Sequence, residues 1–189
     1  MKTVIGLVGP IASGKGIVAK LLEEKGYSRY VLSDIIKREI ANRGQPNLIN
    51  DRATLQNVGD DLRKKHGLQV LVELTALFID EDKSQKIVID GIRNPGEINF
   101  LRKKYKAIII AVDANREVRK KRYLSRSKPG DPKAEVDFNK IESRDRGIGQ
   151  EKYGQQVQKC IKMADKIILN NSNSEKELLT VVDKILTSI

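Results

Sequence analysis

The sequence predicts an α/β fold of three layers, a parallel sheet between two sets of helices. Two observations carry this. Five short β-rich bursts recur, Thr3–Val8, Arg29–Leu32, Lys86–Asp90, Ala107–Val112 and Lys166–Leu169, each followed by a helical or polar stretch. The bursts are also continuous β-branched runs such as KIVID and AIIIAV. Strands that alternate polar and apolar residues face water on one side. Continuous runs are buried on both faces, as in a parallel sheet.

The helices between the bursts follow from spacing and end signals. From Lys15 to Lys25, Ile17, Val18, Leu21 and Leu22 form one stripe, and Gly26 closes the helix. Two or three helices fill Asp34 to Asp82 with no convincing strand. Pro95 opens a short helix carrying Ile98 and Leu101, and Glu117–Ser125 reads as a basic helix. Ser127–Glu135 holds Pro129, Gly130 and Pro132 and reads as a mobile loop. A last helix runs from Glu175 to about Leu186. Residues 34–84 and 116–150 are therefore expected to be helical insertions in one domain spanning 1–189, and long insertions of this kind usually carry function.

Composition narrows the function classes. The 189 residues hold 36 Lys plus Arg against 25 Asp plus Glu, a net charge of +11. That excess favours an anionic partner. More than half of it lies in residues 116–133, where eight Lys or Arg face two acids. The stretch reads either as a solvated helix face or as an anion-binding surface. No apolar run approaches the ~20 residues of a membrane span, and the first residues form a strand pattern, not a secretory signal. A single Cys160 and a single His66 exclude an internal disulfide and a Cys/His zinc site. A reducing, cytoplasmic setting is expected.

The strongest motif is Gly9-Pro10-Ile11-Ala12-Ser13-Gly14-Lys15-Gly16. It has the G-x-x-x-x-G-K skeleton, follows a strand and opens a helix, the context a phosphate cradle requires. Loop and helix-start N–H groups point into a concavity that favours phosphate oxygens. Lys15 adds a mobile positive charge. The strict motif has Ser or Thr after the lysine as a Mg²⁺ ligand. Gly16 stands there, followed by Ile17, so neither position offers a hydroxyl.

This GKG variant resembles adenylate kinase and the related nucleoside and deoxynucleoside monophosphate kinases, across about four-fifths of the chain. The resemblance implies a P-loop sheet of order 2-3-1-4-5, with ATP and Mg²⁺ as cofactors. ATP would be held by Gly9, Ala12, Ser13, Gly14, Lys15, Gly16 and Ile17, with Arg119 and Asn170. Ser33, Asp34, Lys37 and Arg38 resemble the acceptor segment. Read without the family, Asp34 is equally well a helix cap among surface basics. Asp90-Gly91-Ile92-Arg93 resembles D-G-F-P-R, one residue shorter. It implies Asp90 as the metal carboxylate and Arg93 as a grip on the acceptor's phosphate. Arg116, Arg119 and Arg122 resemble the start of a lid, and Arg144-Asp145-Arg146 its far end, where Arg144 returns to the phosphates.

The implied reaction moves the γ-phosphoryl of MgATP to a nucleoside or deoxynucleoside monophosphate, with Lys15, Asp90, Arg119 and Arg122 as catalytic residues. Two other readings stay open. Dephospho-coenzyme-A kinase shares the glycine loop but phosphorylates a hydroxyl, for which Asp34 would be the base. A non-catalytic nucleotide- or nucleic-acid-binding module would instead use residues 116–133, although Tyr123 alone offers base stacking there.

Overall fold

The computed structural model describes residues 2–126, 135–172 and 174–188. Five strands form one sheet: β1 (Thr3–Val8), β2 (Ser28–Val31), β3 (Lys86–Ile92), β4 (Ile108–Asp113) and β5 (Lys166–Leu169). Every neighbouring pair is parallel, and the order is β2-β3-β1-β4-β5. Parallel pairing needs a crossover after each strand, and the helices supply it.

The continuous apolar runs divide between two cores. Val4, Val8, Ile87, Ile89 and Ile109 face a layer made by α2 (Leu32–Asn42), α3 (Arg52–His66), α4 (Val70–Glu81), α5 (Pro95–Tyr105) and α8 (Val157–Lys162). Ile5, Leu7, Val88, Ile110 and Val112 face α1 (Lys15–Glu24) and α9 (Glu175–Leu186). Burying each such side chain stabilises the fold by about 1.5–3 kcal/mol.

The elements differ from the sequence reading in several places, three of which bear on the core and the site. Leu32 starts α2 instead of ending β2, because its side chain is needed in the core below the helix. The Asp90-Gly91 pair does not end its strand. The β1–β3 register shifts there, from Leu7 opposite Asp90 to Val8 opposite Ile92, and Gly91 takes φ +93° as the extra residue of a bulge. Helix α8 carries no strong sequence signal, yet its Val157 and Cys160 complete the first core.

The remaining helices, α6 (Arg116–Ser125) and α7 (Glu135–Arg146), enclose a third, small core of Tyr123, Phe138 and Ile141. Its fourth member is Ile11 of the glycine loop. The Tyr123 and Phe138 rings lie 5.3 Å apart. The described arms of the lid segment are thus seated on the glycine loop. Of the loop read at Ser127–Glu135, residues 127–134 lie outside the described residues and Glu135 begins α7. Among the described residues, no helix is long and apolar enough to cross a membrane.

Candidate phosphate-binding site

The glycine loop leads from β1 into α1, and its shape is set by contacts that exclude side chains. A Cβ on Gly9 would fall 2.0 Å from the Val112 carbonyl oxygen. One on Gly14, at φ +98°, would meet the Asn170 amide at 2.1 Å. The turn therefore needs glycine at both ends. Ala12, between them, also takes a left-handed conformation, φ +59°. Gly14 caps α1, whose first amides have no intrahelical acceptor. Ser13 is fully buried and its carbonyl accepts from Asn170 Nδ2 at 2.9 Å. Asn170 is thereby a brace under the loop.

Lys15 Nζ donates to the carbonyl oxygens of Gly9 (2.5 Å) and Pro10 (2.9 Å). Burial and the neighbouring Arg93 pull its pKa down to about 7, with Arg52 and Arg126 adding to the effect and Asp90 opposing it. Burial, Arg52 and Arg63 likewise depress Arg93. Three guanidiniums from three separate segments thus act on one lysine. Arg52 opens α3, Arg93 follows β3 and Arg126 follows α6. The excess of cations over Asp90 and Asp145 there favours an anionic ligand. Arg52 and Arg126 were not singled out from the sequence. Arg52 lies in a polar helix start, and Arg126 is one basic residue among many.

Arg93 is held at both ends. Glu97, fully buried, accepts from the main-chain N–H of Arg93 at 2.7 Å and of Asn94 at 3.1 Å. Its other oxygen accepts from Arg63 Nε and Nη2, both at 2.9 Å. The Arg93 guanidinium forms a close ion pair with Asp145. The Asn94–Glu97 capping box explains why a glutamate sits three residues after the asparagine, a signal present in the sequence. Asp90 accepts from Arg29 at 2.6 Å.

Several sequence expectations change. Arg119 does not lie over the loop. It is fully buried beneath it, donating from Nε to Ala114 O (3.0 Å), from Nη1 to Ile11 O (3.4 Å) and from Nη2 to Glu142. Helical spacing puts it one turn before Tyr123, on the face that packs into the small core. Arg122 donates to the carbonyls of Asn170 (2.8 Å) and Ser172 (2.6 Å), fixing the loop after β5. Arg144 donates to Asp60 on α3 at 2.7 Å. Its neighbour Asp145 is the residue that reaches the glycine loop.

On α2, Lys37 pairs with the exposed Asp34 at 2.9 Å. Arg38 stacks on Phe78 of α4, 4.7 Å from the ring centroid. Asp34 and Arg38 line a cleft of about 430 Å³ with Arg29, Tyr30, Phe78 and Asp82. Ser33 and Lys37 are half-buried and do not line that cleft.

A magnesium ion at the loop would find one carboxylate acting there, Asp90. Gly16 faces open space and Ile17 is exposed. Among the described residues no group of three His, Cys, Asp or Glu could hold a metal. This fits Mg²⁺ held chiefly by phosphates and water with a single carboxylate.

Comparison with known proteins agrees with this architecture. A family model described as an AAA domain matches residues 5–148. The UPF0200 protein PH1008 of Pyrococcus horikoshii is 30% identical over 193 residues, covering 98% of both chains. The chain belongs to the UPF0200 family. A second UPF0200 protein, from Hyperthermus butylicus, is 29% identical over 178 residues, with 93% of this chain and 89% of the relative covered. Among solved structures, TT1252 from Thermus thermophilus superposes with a TM-score of 0.64 at 20% identity, covering 100% of this chain and 98% of that one. Shikimate kinase from Acinetobacter baumannii, solved with shikimate, gives a TM-score of 0.60 at 16% identity, covering 100% and 94%. This UPF0200 chain therefore has a P-loop kinase-like fold.

Proposed function

We propose that this chain is an ATP-dependent phosphotransferase whose acceptor is a nucleoside or deoxynucleoside monophosphate. One observation carries the reading: the Gly9–Gly14 loop turns β1 into α1 with no room for side chains at its two glycines and sets Lys15 against its own carbonyls at the helix start. The arginines that act on Lys15 suit two anions brought together, a triphosphate tail on the loop and a second phosphate beside Arg93.

The residues divide the work. Loop amides and Lys15 hold the β- and γ-phosphates, and Arg93 grips the acceptor. Arg52 and Arg126 neutralise charge on the transferring group. Mg²⁺ bound beside Asp90 supplies further neutralisation. Arg119, Arg122 and Asn170 act at a distance, by bracing the loop and the segment after β5. Phosphoryl transfer to a phosphate needs little proton abstraction.

A hydroxyl acceptor such as dephospho-coenzyme A would need a placed base. Asp34 is more than half exposed and paired with Lys37, and Asp90 is bonded to Arg29. Neither is held ready for that role, which favours the phosphate acceptor. The nucleic-acid reading is disfavoured because described arginines of the basic stretch bond to groups of the molecule itself. Arg119 is buried, and Arg116 pairs with Glu142 at 2.9 Å.

The test is incubation with MgATP and a panel of nucleoside monophosphates, deoxynucleoside monophosphates and dephospho-coenzyme A. A phosphorylated nucleotide, lost on Lys15→Met with the fold retained, is expected. Phosphorylation of dephospho-coenzyme A alone, or near-normal turnover by Lys15→Met, would overturn the reading.

A further inference from the structure

We infer that Asp145, near the end of α7, is a positioning residue that sets the glycine loop and the acceptor-binding arginine in one mutual geometry. This rests on the phosphotransferase reading above, which gives Arg93 its acceptor role.

Asp145 is fully buried and sits between the two halves of the site. Its Oδ2 accepts from the main-chain N–H of Ile11 at 2.9 Å, and its Oδ1 pairs with the Arg93 guanidinium. The carbonyl of the same residue, Ile11, accepts from Arg119, which Glu142 of α7 holds in turn. The Ile11 main chain is therefore held at its N–H from α7 and at its carbonyl from α6, immediately before the left-handed Ala12. The helix is itself anchored to α3 by Arg144, the adjacent residue, through Asp60. Asp60 also lies 3.5 Å from Arg63, whose partner Glu97 holds the Arg93 main chain. Arg93 is thus fixed along its backbone from α5 and at its guanidinium from α7. A fully buried carboxylate, ion-paired to Arg93 and hydrogen-bonded to the Ile11 N–H, is costly to desolvate, and a role limited to packing would be served by an apolar side chain. Two bonds to the two functional halves are what the charge provides.

The two bonds can be separated by substitution in the full-length protein. Asp145→Asn keeps a carbonyl for the Ile11 N–H but turns an amide toward Arg93. Asp145→Ala loses both. MgATP affinity by calorimetry should stay within about twofold in Asp145→Asn and weaken about tenfold in Asp145→Ala. Turnover with ATP and the nucleoside monophosphate panel should fall about tenfold or more in Asp145→Asn. That loss should vanish when the substitution is made on an Arg93→Gln background, because the residue acts through Arg93.

Independent, multiplying effects of Asp145→Asn and Arg93→Gln would overturn the proposal, as would wild-type MgATP affinity in Asp145→Ala. Losses that merely track a lowered urea midpoint would also overturn it. A wild type that binds MgATP but phosphorylates nothing in the panel overturns the acceptor assignment alone, and the Asn-against-Ala comparison of MgATP affinity then decides the role of Asp145. A wild type that binds no MgATP overturns both.

Discussion

Arg29 donates to Asp90 at 2.6 Å, so the carboxylate that acts on Lys15 is already paired. The second arm of the same guanidinium reaches Glu23 on α1 at 3.2 Å. Removing it leaves Asp90 without that cationic partner. Arg29→Gln should lower the Mg²⁺ concentration for half-maximal ATP binding by about three- to tenfold. Titration of Mg²⁺ against a fluorescent ATP analogue reads this. An unchanged or raised requirement would remove Asp90 from the metal site.

Lys15 should make nucleotide binding pH-dependent. Its pKa is about 7 in the free site. A bound polyphosphate favours the charged form and raises that value. Binding then takes up a proton above pH 7, and affinity falls as pH rises through the window between the free and bound values. Calorimetry in two buffers of different ionisation enthalpy should show proton uptake at pH 8 and almost none at pH 6. The same lysine destabilises the free protein fully below pH 7, an effect that fades toward pH 10.5 as the unfolded chain also loses its proton. Lys15→Met should accordingly raise the urea midpoint most at pH 6.

Gly16 tests the missing hydroxyl. A Cβ there meets nothing within 4 Å. Gly16→Ser should fit without strain, add about 0.5 kcal/mol of stability by removing a helical glycine, and tighten MgATP several-fold by offering Mg²⁺ an oxygen. Thermal melts and binding isotherms with and without Mg²⁺ check both effects. A gain in nucleotide affinity that persists without metal would point away from coordination.

Arg119 should behave as a structural strut. Replacing it with Met leaves Glu142 buried with one guanidinium fewer, at a cost of about 3 kcal/mol. Burial works to raise the Glu142 pKa, but Arg119 and Arg116 outweigh it and hold the group below its ordinary 4.5. Stability from this group is present above pH 4.5 and is lost as pH falls through the depressed folded value. Arg119→Met should flatten that acid limb in urea titrations. A large loss of turnover with unchanged stability would return Arg119 to the catalytic residues.

The sequence alone determined the sheet and the phosphate loop. Runs such as AIIIAV allow only strands covered on both faces, and parallel strands require crossover helices. Gly9, Gly14 and Lys15 are legible because backbone conformation and close approach restrict the residues a tight strand-to-helix turn accepts. Tertiary structure decided where the charges went. Arg119 and Arg122 lie a turn apart on one basic helix, yet one is buried under the loop and the other bonds the segment after β5. Arg144 and Asp145 are adjacent, yet one holds α3 and the other the loop. Helical spacing fixes which residues share a face, but not what that face meets. The partners of a guanidinium come from elements distant in sequence, so Arg52, Arg126, Glu97 and Asp145 became site residues only once α3, α5 and α7 had packed around β1 and β3.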